Sequence, residues 1–158
     1  MTNPASITPA IVDALYEDAL LLAEEARIVF ERGEDGLAGS DGEHRVSLSC
    51  EALRTTTRLM HAMAWLINQR AFFAGDMSEF QLRRHGRLPP AGPDGDPAHL
   101  AMLDDLTRSV VERSRRFQAR VARLDRAWRD RFAMQPAAVL RLRDRLGQVF
   151  NEAVGSRP

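Results

Sequence analysis

Apolar residues in this chain return at the spacing of a helix face over several long stretches, and no useful length alternates in the two-residue rhythm of a strand. The first stretch opens at Thr8-Pro9, where threonine can cap free backbone N–H groups and proline at the first helical position loses no hydrogen bond. Val12, Leu15, Tyr16, Ala19, Leu22, Ala23, Ala26, Val29 and Phe30 then share a face, with Asp13, Glu17, Glu24 and Glu31 opposite. Gly33 is a natural stop, which predicts a helix over about 9–32. Residues 33–43 hold four glycines and four acids, the composition of a mobile loop.

A second helix is predicted over about 44–74. Its first half has one apolar face, Val46, Cys50, Leu53, Thr57 and Met60. Its second half, with Leu59, Met60, Met63, Trp65, Leu66, Ile67, Phe72 and Phe73, is apolar on nearly every side. Such a helix is buried on two sides, so its extra face calls for another helix or a second subunit. Asp76 can cap a short helix over about 77–85. Leu88-Pro89-Pro90-Ala91-Gly92-Pro93-Asp94-Gly95-Asp96-Pro97 reads as a stiff linker and not as a packed element. Asp96-Pro97 opens a long helix over about 97–133. Leu103, Val110, Phe117 and Leu124 stand seven apart in it, with Thr107, Ser114, Val121 and Trp128 as the second set of a heptad-like stripe. Beyond Pro136 the spacing of Leu140, Leu142, Leu146, Val149, Phe150 and Ala153 predicts a fourth helix over about 136–153.

The expected fold is therefore all-α: an up-down three-helix bundle with a long third helix and an additional short C-terminal helix. The 158 residues suit one domain. Such a chain buries enough surface to need no staple, and the single Cys50 permits no intramolecular disulfide or CxxC redox pair. There is no basic signal region and no apolar run of the roughly 18 residues a membrane span needs, which predicts a soluble cytoplasmic protein.

Composition removes several chemistries. All 22 basic residues are arginine, so a P-loop lysine, a Schiff-base lysine and a Ser–Lys dyad are excluded. No glutamate has a histidine three residues on, the spacing a di-metal helical bundle uses. His44, His61, His85 and His99 are scattered, and none is followed by aspartate. There is no Gly-x-Ser-x-Gly turn. Cys50, inside a helix on its apolar face, reads as a small buried hydrophobe. Thr55-Thr56-Thr57 reads as packing and back-bonding within a helix, not as a phosphoacceptor or nucleophile. The expectation is a protein without enzymatic activity, cofactor or metal.

The net charge of zero conceals a polarity. Residues 1–80 carry 13 acids and 6 arginines, a net of −7; residues 81–158 carry 9 acids and 16 arginines, a net of +7. Either the acidic first helix pairs internally with the arginine-rich third, or two charged faces are offered to partners. Residues 108–145 alone hold 12 arginines and 4 acids. This is a legitimate footprint for an Arg-rich nucleic-acid binder, the alternative function, although no recognition motif or base-stacking platform accompanies it.

Residues 53–81 contain Thr56-Thr57-Arg58-Leu59-Met60, then Trp65-Leu66, Gln69-Arg70-Ala71 and Gly75-Asp76-Met77. This block resembles the core helix of the RcdA family, the bacterial regulators of CtrA degradation. A second resemblance runs from Ser114 to Asp125, ending Arg120-Val121-x-Arg123-Leu124-Asp125, and Leu88-Pro89-Pro90 fits between them. Together the matches span about 10–132. The resemblance implies a homodimeric three-helix bundle without catalysis. It would act as an adaptor that helps the ClpXP protease receive cell-cycle proteins, with response-regulator proteins and a cyclic di-GMP effector as co-partners. In that family the C-terminal tail serves cargo delivery, whereas residues 136–153 here read as helical. Candidate interaction residues are Arg54, Arg58, Trp65, Gln69 and Arg70 within the block, and Arg113, Arg116, Arg120 and Arg123 as a basic ridge.

Overall fold

The computed structural model describes residues 7–36, 39, 41–133 and 145. The helices are α1 (Pro9–Asp35), α2 (Gly42–Ala74), α3 (Glu79–His85), α4 (Pro97–Ala101) and α5 (Asp105–Ala133), and no strand occurs among the described residues. Residues 7–125 form one compact unit, which holds every interaction discussed below. Residues 1–6 and 126–158 form a second, of which the last turns of α5 and Arg145 are described. The helix predicted over 136–153 lies outside the described residues apart from Arg145.

The local signals that start and stop the helices act as chemistry dictates. Thr8 Oγ1 accepts from the Ile11 N–H, with Pro9 in the first turn. Ser78 and Gln81 form a reciprocal capping box at the head of α3. Gly75 ends α2 in the left-handed conformation, φ 85°, where the Asp76 N–H reaches back to the Ala71 carbonyl at 2.9 Å. A side chain at that φ would be strained, which suits glycine alone.

Several expectations need correction. The long helix predicted over 97–133 is two helices. The chain breaks at Met102–Asp104, and Asp104 begins again by accepting from the Thr107 backbone N–H at 2.9 Å and its hydroxyl at 2.8 Å. The heptad stripe runs through the break because Leu103 stays buried. The proline-rich stretch is non-helical and mostly exposed, as a linker would be, but it touches the bundle at one point: Gly95 is buried against Glu51 and Arg54, and Asp94 faces Arg115 at 3.5 Å. The glycine-rich loop is also shorter than 33–43, since α1 runs on to Asp35 and α2 begins at Gly42. Cys50 is half-buried and not fully interior.

The core is shared by three long helices. Leu22, Ala26 and Phe30 of α1 meet Leu48 and Leu59 of α2 and Val110 and Val111 of α5, and Leu103 closes the same cluster. Burying side chains of this size contributes roughly 1.5–3 kcal/mol each. The second half of the heptad pattern is buried as well, at Thr107, Ser114 and Val121.

Candidate interaction surfaces

The resemblance block lies on α2, and the helix divides it between two faces. One face turns inward. Ser47, Glu51, Thr55, Arg58 and Gln69 are buried with Leu48, Leu59, Ala62, Trp65 and Leu66. The facing residues of α5 are polar too: Thr107, Ser114, Gln118 and Asp125 are all buried. A polar seam inside a bundle is tolerated where its members satisfy one another.

Two side-chain bonds cross the seam. Arg58 donates to Ser114 Oγ at 3.0 Å, and the Ser114 hydroxyl in turn donates to the Val111 carbonyl at 2.7 Å. Trp65 Nε1 donates to Asp125 Oδ1 at 2.9 Å. The same Arg58 donates to Thr55 Oγ1 at 3.3 Å and stands 3.8 Å from Glu51 Oε2. Glu51, fully buried, accepts from Arg54 at 2.9 Å. Burial, with the Arg115 charge nearby, pulls Arg58 below its ordinary pKa, while Glu51 and Asp94 oppose the shift. Gln69 is completely buried, and neither atom of its amide has a hydrogen-bond partner among the described residues.

The sequence-nominated residues therefore separate. Arg58, Trp65 and Gln69 are interior and hold α2 to α5 or fill the seam between them. All three are buried in the closed bundle, so none of them is presented on its surface. Arg54 is half-buried beneath the proline-rich segment, where a Cβ on Gly95 would overlap Glu51 Oε1 and stand 2.9 Å from Arg54 Nη1. Arg70 is exposed, pairs with Asp13 at 2.9 Å and lies over the Tyr16 ring at 4.8 Å. It ties α2 to α1. Arg113, Arg116, Arg120 and Arg123 are all exposed on α5. Arg113 Nη1 donates to both carboxylate oxygens of Glu25 on α1, at 2.6 and 2.7 Å, and Arg120 stands 4.0 Å from Asp18. The acidic first helix and the arginine-rich helix thus do pair internally. No carboxylate among the described residues pairs with Arg116 or Arg123.

The other face of α2 turns outward and is apolar. Val46, Leu53, Met60 and Ile67, spaced by seven, are 59%, 70%, 63% and 49% exposed. Beside them a groove of about 340 Å³ runs between α1 and α2, lined by Ala23, Phe30, Ala52, Leu59, Met60 and Met63 among others. In the first half of α2 this reverses the expectation: Val46, Leu53 and Met60, which periodicity gives as its one apolar face, lie outward, while Ser47, Leu48, Glu51, Thr55 and Arg58 are buried; no described residue covers the outward stripe. The periodicity showed that the face exists, but the nominated residues all came from polar and aromatic positions. The positions of the stripe, Val46, Leu53, Met60 and Ile67, were legible as apolar, but which side of α2 is buried was not.

Among the described residues, no three His, Cys, Asp or Glu side chains gather as metal ligands. No helix there is long and apolar enough to cross a membrane. Comparison with known families gives a match over residues 4–150 to a model described as a protein of unknown function, DUF1465. The chain belongs to the DUF1465 family. The match takes in all five helices and the proline-rich segment between α3 and α4. No curated protein and no solved structure matches.

Proposed function

We propose that this DUF1465 member is a non-enzymatic adaptor of the RcdA type, an up-down helical bundle that works as a homodimer and helps deliver cell-cycle regulators to the ClpXP protease. The observation that carries the reading is the division of α2. Its polar signature residues are spent on internal bonds, Arg58 to Ser114 and Trp65 to Asp125, while its outer face is an apolar heptad stripe. A stripe of that kind is the surface of a helix that meets another helix. The resemblance names the protease, response regulators and cargo as partners. The internal pairing of Arg113 and Arg120 with α1 weighs against the Arg-rich nucleic-acid binder, since paired arginines release fewer counterions on meeting phosphate.

The test has two parts. Light scattering should give twice the 17.7 kDa chain mass. Pull-down of untagged protein should capture ClpX and response regulators at low salt. A monomer that captures neither defeats the adaptor reading. A mobility shift on DNA that weakens steeply with salt would favour the alternative.

A further inference from the structure

The arginine ridge of α5 does not stand alone on a convex surface. It forms one wall of a second groove, of about 380 Å³, between α5 and α1. The groove is lined by Arg113, Arg116, Phe117 and Arg120 of α5 and by Asp18, Leu21 and Leu22 of α1. Leu21 is 72% exposed and Phe117 half-buried, so the groove offers an apolar patch. The arginines are not equivalent. Arg113 is held by Glu25 through Nη1, and Arg120 sits at the 4.0 Å limit of an ion pair with Asp18. Arg116, between them, has no pair among the described residues, and Arg123 continues the ridge one turn on. From Arg113 to Arg123 the ridge is about 15 Å long.

Such a groove is amphipathic in a particular order: apolar side chains beside guanidinium groups whose charge is only partly met. Planar guanidinium forks match carboxylates two bonds at a time. We propose that the α1–α5 groove docks an acidic segment of a partner protein, seating a bulky apolar side chain against Leu21 and Phe117 with carboxylates on Arg116 and Arg120. Asp18 and Glu25 on the opposite wall would repel a continuous phosphate backbone, whereas a peptide can place its carboxylates on one side only. The groove is distinct from the α2 stripe. The inference rests on the adaptor reading only for the expectation that a protein partner exists.

The probe is a fluorescein-labelled peptide, Asp-Glu-Leu-Phe-Glu-Asp, titrated with the whole protein at about 50 mM salt and read by anisotropy. The expected result is saturable binding that weakens at least about tenfold in R116E/R120E and about threefold in L21S. R45E, a reversal of an exposed arginine outside the groove, should bind as wild type. A peptide with glutamines for the acids should not bind. The proposal is overturned if the acidic peptide fails to bind, if R45E costs as much as R116E/R120E, or if duplex DNA displaces the peptide at lower concentration. Peptide binding needs no protease. Loss of ClpX capture with intact peptide binding therefore overturns the adaptor reading alone, and intact capture without peptide binding overturns the groove alone.

Discussion

Arg58 is held where two helices meet, by Ser114, Thr55 and Glu51 together. A buried charge is tolerable only while its partners remain, and the loss of one partner strands the other. Arg58→Ala should therefore cost about 1–3 kcal/mol in urea unfolding, from the lost bond to Ser114 and the loss of the farther of two cations beside Glu51, which keeps Arg54 at 2.9 Å. Replacing both, as in E51Q/R58M, should recover a good part of that loss. Gly95 acts through size. An added methyl would push aside Glu51 Oε1, the atom that accepts from Arg54, so Gly95→Ala should cost about 1 kcal/mol by the same measurement. Neither role was legible in advance. Arg58 and Gly95 carry ordinary sequence signals, a motif arginine and a loop glycine, and the burial that makes them sensitive arises from residues far away in the chain.

Single elements were more legible, because caps act locally. Thr8-Pro9 and Asp96-Pro97 start helices where their chemistry predicts, whereas α3 is capped by Ser78 and not by Asp76, the residue expected to begin it. The break before α5 was hidden because the apolar stripe passes through it at Leu103. Asp104 makes that break. The Thr107 backbone N–H, with the Thr107 hydroxyl adding to it, holds the Asp104 carboxyl below its ordinary value of 3.8. The folded state thus favours the charged form. The resulting stability is fully present above the ordinary value and is lost as pH falls through the folded one. Asp104→Ala should cost about 1 kcal/mol at neutral pH, and the gap to wild type should close in denaturation curves taken below pH 4 or so.

At the scale of the whole molecule the question is which surfaces remain after the bundle closes. Charge that is segregated along the chain is partly cancelled across it, by Glu25–Arg113, Asp18–Arg120 and Asp13–Arg70. These pairs are exposed and contribute little stability each, about 0–1 kcal/mol. What remains is the apolar stripe of α2 and the partly met ridge of α5. L53E/M60E should leave the helical content of the folded chain unchanged, since both side chains are exposed within one chain, yet shift the mass in light scattering to that of one chain and lower unfolding stability only by what the lost association contributed. Leu59→Ala, one residue from Met60 but buried, should instead cost about 2–5 kcal/mol of stability.

The all-helical class, most helix starts and the existence of an extra apolar face on the central helix were determined by sequence alone. They depend on the spacing of neighbours along the chain, which a helix converts directly into faces. Which residues of the α2 motif face inward, and that Gly95 and Asp94 press on Glu51, Arg54 and Arg115, was decided only in the tertiary structure. Those facts depend on the rotation of one helix against another and on where a proline-rich segment comes to rest. Both are set by the packing of residues that local periodicity cannot pair. The zero net charge shows the same division: composition supplies equal numbers, and packing chooses which arginines keep their charge for a partner.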